Sequence, residues 1–175
     1  MFARLVRCAA VLQALAICLS GCSADRSQEP VAEKTGAKTS PATVPDVPAV
    51  PVQWQDHAQG LPFVMGYENG IGMAKSQAKP AMLFVTTTWC GWCTKLAKEN
   101  FNDPEVKELL KNFVCVIVDG DTEKDAKMQL GATRGYPHIV FVSATGANLA
   151  ECLGYKPVSQ FKPIVQDALQ RSRGG

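Results

Sequence analysis

The sequence predicts an α/β domain, a central sheet with helices packed on it. Val114-Cys115-Val116-Ile117-Val118 is an unbroken apolar run of strand length, as expected of a strand covered on both faces. Strand-like runs alternate with segments of helical periodicity, in the order strand, helix, helix, strand, helix, strand, strand, helix. Apolar residues make up 46% of the chain, enough for a core that does not depend on disulfides.

The folded part is expected to span residues 53–175. A helix is predicted from Tyr67 to about Gln77, weakened by Gly70 and Gly72 and stopped by Lys79-Pro80. Ala81 to Thr87 reads as the first clear strand, and Thr94-Lys95-Leu96-Ala97-Lys98-Glu99 as helix. Asp103 is a good N-cap and Pro104 suits the first position of the next helix. That helix presents Val106, Leu109, Leu110 and Phe113 at i, i+3, i+4 and i+7. The strand from Val114 to Val118 follows, then a helix starting at Asp121 or Thr122 and ending near Gly131. Ile139 to Val142 and Asn148 to Leu153 form a hairpin around Ala144-Thr145-Gly146. A last helix covers Gln160 to Arg171, with Pro163 placed in its first turn. No internal repeat is present.

Trp89-Cys90-Gly91-Trp92-Cys93 falls where the first strand runs into a helix. A thiol at a helix N-terminus meets unpaired N–H groups and the positive end of the dipole, which favours its thiolate. A second thiol three residues on lies about one turn further in, near enough to close a small disulfide ring. This is the arrangement that thiol–disulfide exchange requires.

The element order with Trp-Cys-x-x-Cys after the first strong strand resembles the thioredoxin-like superfamily. Gly135-Tyr136-Pro137, directly before the strand from Ile139, matches the place of that family's cis-proline. The segment Phe101-Asn102-Asp103-Pro104-Glu105-Val106 adds a likeness to the periplasmic C-terminal domain of bacterial membrane-spanning disulfide reductases. The resemblance implies a thioredoxin-like fold with a central mixed sheet. It implies Cys90 as nucleophile and Cys93 as resolving thiol, with no cofactor beyond the cysteines. It also implies that Trp89, Gly91, Trp92, Tyr136 and Pro137 contact the substrate. Trp89 is expected to pack and Trp92 to be exposed.

The chain departs from the family beneath the dithiol. Thioredoxins carry a buried Asp six residues before the first cysteine, which helps deprotonate the resolving thiol; here that residue is Phe84. The membrane-reductase domain has a Glu seven residues after that cysteine; here it is Ala97. The proton of Cys93 is therefore expected to go to water. Cys115 falls where thioredoxin has the Lys that pairs with its Asp. Phe84 and Cys115 are thus expected on one face of adjacent parallel strands. Two strands should separate Cys115 from Cys152, which precludes a disulfide between them. His57 and His138 read as surface residues.

Ahead of the domain, Arg4 and Arg7 precede an apolar stretch from Cys8 to Leu19, too short to span a bilayer but of signal-peptide length. Leu19-Ser20-Gly21-Cys22 resembles the lipobox of bacterial lipoproteins, which implies a signal peptide over residues 1–21 and lipidation of Cys22. Two or more acyl chains, at about 0.8 kcal/mol per buried CH₂, anchor stably where one does not. Residues 22–52 then form a tether holding Pro30, Pro41, Pro45, Pro48 and Pro51, with no apolar periodicity. As flexible coil it reaches on the order of 30 Å. The expected location is the cell envelope, facing the periplasm or exterior. Ser23 in place of Asp favours the outer membrane in a Gram-negative host. Without Arg4 and Arg7, 16 basic residues face 16 acidic ones, which excludes the clustered basic face of a nucleic-acid binder.

Three functions compete at this stage. The first is a membrane-anchored oxidoreductase that reduces disulfides of envelope proteins and draws on a membrane electron donor. The second is a metal-handling module passing a soft ion such as Cu(I) between Cys90 and Cys93, with His138 as the candidate extra ligand. The third is a non-catalytic binding module.

Overall fold

A computed structural model describes residues 49–174. The leader, Cys22 and the tether up to residue 48 lie outside the described residues. The first element is a 3-10 turn, Val52–Trp54, running into a one-turn helix α1 (Gln55–Ala58). Strand β1 (Val64–Met65) leads into helix α2 (Tyr67–Gln77), and β2 (Ala81–Thr86) into α3 (Gly91–Asn100) and α4 (Pro104–Leu110). Strand β3 (Val114–Asp119), helix α5 (Lys124–Gln129), the hairpin β4 (His138–Val142) and β5 (Asn148–Leu153), and helix α6 (Val158–Arg173) complete the chain.

The five strands form one mixed sheet in the order β1-β3-β2-β4-β5. β1, β3 and β2 run parallel, while β2-β4 and β4-β5 are antiparallel. This is the central mixed sheet flanked by helices that the sequence leads one to expect. Alternation along each central strand sends its side chains into two cores. Met82, Phe84, Cys115, Ile117, Ile139 and Phe141 face a core completed by Leu96, Ala97, Phe101, Leu110, Phe161 and Val165. Leu83, Val85, Val116, Val118 and Val140 face a second core with Ala74 and Ala132. Burial on both faces is why the strands read as continuous apolar runs.

Helix α2 begins and ends where expected. Gly70, which weakens its helical signal, lies against the side chain of Val116, where any Cβ would collide. The residue that costs helix propensity is thus the one that lets α2 approach β3. Asp103 caps α4, its Oδ1 accepting the Val106 N–H at 3.0 Å.

Two expectations need correction. Helix α5 starts at Lys124 and not at Asp121 or Thr122. The Asp119 carboxylate accepts the Asp121 N–H and the Thr122 hydroxyl, while Glu123 accepts the Asp119 and Tyr67 N–H groups. These side-chain bonds hold residues 120–123 in a turn that competes with helix. Helix α6 starts two residues early, at Val158, so Pro163 lies inside it and not in the first turn. The carbonyl that it leaves without an N–H partner belongs to Ser159, an exposed residue that water can reach. Strand β1 went unpredicted because two residues carry no periodicity.

Candidate functional site

Cys90 is the N-cap of α3, in extended conformation, and its Sγ accepts the Cys93 N–H at 3.2 Å. The Thr87 carbonyl accepts the Cys90 N–H at 3.1 Å, which pins the loop leaving β2. Cys90 and Cys93 form a disulfide with Cα atoms 5.2 Å apart. Gly91 opens the helix between them, with open space beside its Cα. Cys93 is fully buried under α3, while Cys90 keeps a small exposed surface. Both are buried, Cys90 at 6% exposure and Cys93 at 0%.

Trp89 and Trp92 stand on either side of the disulfide, 68% and 61% exposed. The exposure of Trp89 corrects the expectation that it packs. Its indole meets Tyr136 edge-on at 6.1 Å, and its Nε1 donates to Asp121 Oδ2 at 2.8 Å. These contacts tie it to neighbouring loops and leave its face open to solvent. The Tyr136 hydroxyl donates to the Gly120 carbonyl at 3.1 Å, so one tyrosine braces two loops at the rim. The Tyr136–Pro137 peptide bond is cis, and β4 pairs His138 with Val85. The register thus brings Pro137 to the end of β2 from which the cysteine loop departs.

On the other side Trp92 packs against Tyr155 at 5.7 Å, and Lys95 Nζ lies 5.1 Å from the Tyr155 ring centre. The Tyr155 hydroxyl bonds to Glu99, whose carboxylate also takes Lys95 at 2.7 Å. Lys95, then Tyr155, holds the Glu99 carboxyl below its usual range, and Glu99 pushes the Tyr155 hydroxyl up. The sequence carries no sign of this cluster, because Tyr155 and Glu99 lie 56 residues apart. Asp121 is likewise a rim residue that sequence reasoning missed.

Phe84 and Cys115 do share the sheet face that carries the disulfide. The register displaces them: Phe84 lies opposite Ile117, and Cys115 opposite Met82. Burial pushes the Cys115 thiol up to about 12 and the Cys152 thiol to about 11. Both are free, and β2 and β4 separate their strands as expected.

The histidines are not surface residues: His57 is 1% exposed and His138 0%. Burial lowers the basicity of both imidazoles. His138 leads β4 and shares the face of Val140, opposite the disulfide, with Nε2 2.9 Å from Glu151 Oε1. The side chain weighed as an extra metal ligand is thus directed away from the cysteines. Among the described residues no three His, Cys, Asp or Glu side chains cluster as a metal site would require.

Comparison with known proteins agrees with the fold. Residues 63–144 match the thioredoxin-like family model. Over 123 residues the chain is 26% identical to disulfide bond reductase DsbH of Chlamydia pneumoniae, covering 63% of this chain and 68% of that protein. Over 100 residues it is 27% identical to thiol:disulfide interchange protein DsbD of Klebsiella pneumoniae, covering 54% of this chain and 17% of that protein. It is 33% identical over 75 residues to mouse spermatogenesis-associated protein 20, covering 42% of this chain and 8% of that one. The chain thus spans less than a fifth of the length of the last two. A thioredoxin from Thermus thermophilus superposes with a TM-score of 0.54 at 22% identity, over 62% of this chain and 87% of that one. A DsbH oxidoreductase structure superposes with a TM-score of 0.51 at 27% identity, over 60% and 82% of the two chains.

Proposed function

We propose that this chain, which carries a thioredoxin-like domain, is a thiol–disulfide oxidoreductase of the cell envelope, anchored through lipidated Cys22, that reduces disulfides in other envelope proteins. The observation that carries the reading is Cys90 at the N-cap of α3, its sulfur facing the Cys93 N–H and disulfide-bonded to a buried Cys93. In the dithiol form that N–H and the helix N-terminus stabilise the Cys90 thiolate. The thiolate attacks one sulfur of a partner disulfide and expels the other as a thiolate, which takes its proton from water. Cys93 then attacks Cys90, the partner's second sulfur departs, and the domain is left oxidised. A membrane-borne dithiol donor returns it to the reduced state.

The two exposed indoles and Tyr136 give an extended partner segment aromatic surface on both sides of the reacting sulfur. The likeness to DsbH and DsbD, named for disulfide reduction and interchange, supports the reductive direction. Insulin reduction driven by dithiothreitol tests the activity. The wild-type chain should accelerate precipitation of the insulin B chain, and Cys90→Ser should return the rate to that of dithiothreitol alone. Equal rates for the two chains would leave a binding module as the better reading.

A further inference from the structure

We propose that His57 accepts the proton released by Cys93 in the resolving step, a role that rests on the oxidoreductase reading above. His57 belongs to α1, which packs on the cysteine-bearing helix α3. Its ring lies 5.4 Å from Trp54 and 6.2 Å from Phe84, on the sheet face that carries the disulfide. Phe84 is the residue standing where thioredoxins have their buried Asp. The base missing from β2 is thus replaced by one that reaches the same region from α1.

The Thr87 backbone is the one hydrogen-bonding group set against the buried His57 ring, and neither ring nitrogen meets a partner in full hydrogen-bond geometry. One backbone group can serve only one ring nitrogen, so the other is buried with no partner and open to a proton. The Thr87 backbone faces the imidazole, and the Thr87 carbonyl accepts the Cys90 N–H at 3.1 Å. The imidazole therefore abuts the loop that carries the nucleophile.

Among the protein's own side chains the competing acceptors fall away, which leaves water as the alternative. Besides the cysteines, His57 and His138 are the titratable side chains buried among the described residues, and His138 faces the opposite core. The thiols of Cys115 and Cys152 hold their own protons far above neutrality. Two charges face His57: Asp56 from its own helix, which raises its basicity, and Lys98 from α3, which lowers it. They pair with each other at 3.6 Å, and burial keeps the resting imidazole neutral and disfavours the imidazolium, which makes His57 a transient carrier of the proton.

The step balances without any further reactant. The Cys93 thiol attacks Cys90, forming the Cys90–Cys93 bond as the bond from Cys90 to the partner's sulfur breaks. The partner leaves as a thiolate carrying the electron pair. The Cys93 proton passes to the imidazole, and the imidazolium then protonates the departed thiolate or solvent.

The test uses the reduced full-length chain with Cys8, Cys18 and Cys22 replaced by Ser, and dithiobis-nitrobenzoate, which releases one coloured thiolate when Cys90 attacks and a second when Cys93 resolves. His57→Phe keeps an aromatic ring between Trp54 and Phe84 while removing the base. The first phase should be unchanged. The second should slow about 100-fold at pH 7, at the lower end of general-base effects. It should then climb about tenfold per pH unit, as Cys93 ionises unaided, whereas the wild-type second phase stays nearly level from pH 7 to 9. A second phase with the same rate and slope in both chains overturns the proposal. If His57→Phe does not fold, the wild-type profile decides alone, since a tenfold rise per unit there overturns it as well. A wild-type chain that shows no first phase refutes the oxidoreductase reading itself, and this inference with it.

Discussion

Replacing Cys93 by Pro, set against Cys93→Ser, removes the N–H that stabilises the Cys90 thiolate. Cys93 is the third residue of α3, and its N–H points at Cys90 Sγ from 3.2 Å. Serine keeps that N–H and proline removes it. Proline is tolerated in a first turn, and the Cys93 N–H that it removes is shared between Cys90 Sγ and the Cys90 carbonyl, 3.1 Å away. A hydrogen bond to a charged group is worth about 1.5–3 kcal/mol. At 1.36 kcal/mol per pH unit, its loss should raise the Cys90 thiol by about one to two units. The helix dipole is the same in both variants and cancels from the comparison. Iodoacetamide alkylation of Cys90 across pH, followed by mass spectrometry, gives the two midpoints, with circular dichroism confirming that both variants fold. Coincident midpoints would show that the Cys93 N–H does not stabilise the thiolate. The activation of Cys90 would then have to rest on the dipole alone, worth about 0.3–1 kcal/mol at an exposed terminus.

Two further outcomes are expected. Cys93→Ser, expressed in the native host, should accumulate mixed disulfides between Cys90 and envelope proteins, since the resolving thiol is gone; a folded, exported variant with no adducts on non-reducing gels contradicts the assigned roles. Folded His57 and His138 resist protonation while the unfolded chain takes it up near pH 6.5. Stability is therefore held above pH 6.5 and lost as pH falls, by up to about 1.4 kcal/mol per pH unit for each histidine. Urea unfolding at pH 7.5 and 5.5 should show the loss, and His57→Phe should reduce it. An unchanged loss in that variant means that His57 is not held neutral.

The features legible in the sequence were those set by short-range rules. Helix α2 could be bounded because Lys79-Pro80 ends it, and α4 because Asp103 and Pro104 begin it. The cysteine pair was identifiable because two thiols one turn apart at a strand-to-helix junction can do little else so well. The errors have equally local causes. Side-chain bonds from Asp119 and Glu123 delay α5. At α6, Pro163 drew the expected start forward because a proline favours a first turn, although the freed Ser159 carbonyl faces solvent.

What the sequence alone determined is the alternation of strands and helices, the double burial of the sheet and the dithiol at the start of α3. Periodicity, caps and a three-residue spacing act within a few positions along the chain. What surrounds the dithiol was decided only by tertiary structure. It turns Trp89 outward against Tyr136 and Asp121, links Tyr155 to Glu99 beside Trp92, and buries His57 against Phe84. Each pairing joins residues far apart in the chain. A histidine in a polar stretch such as Gln55-Asp56-His57 carries no mark of burial until α1 folds back on α3 and closes the core over it.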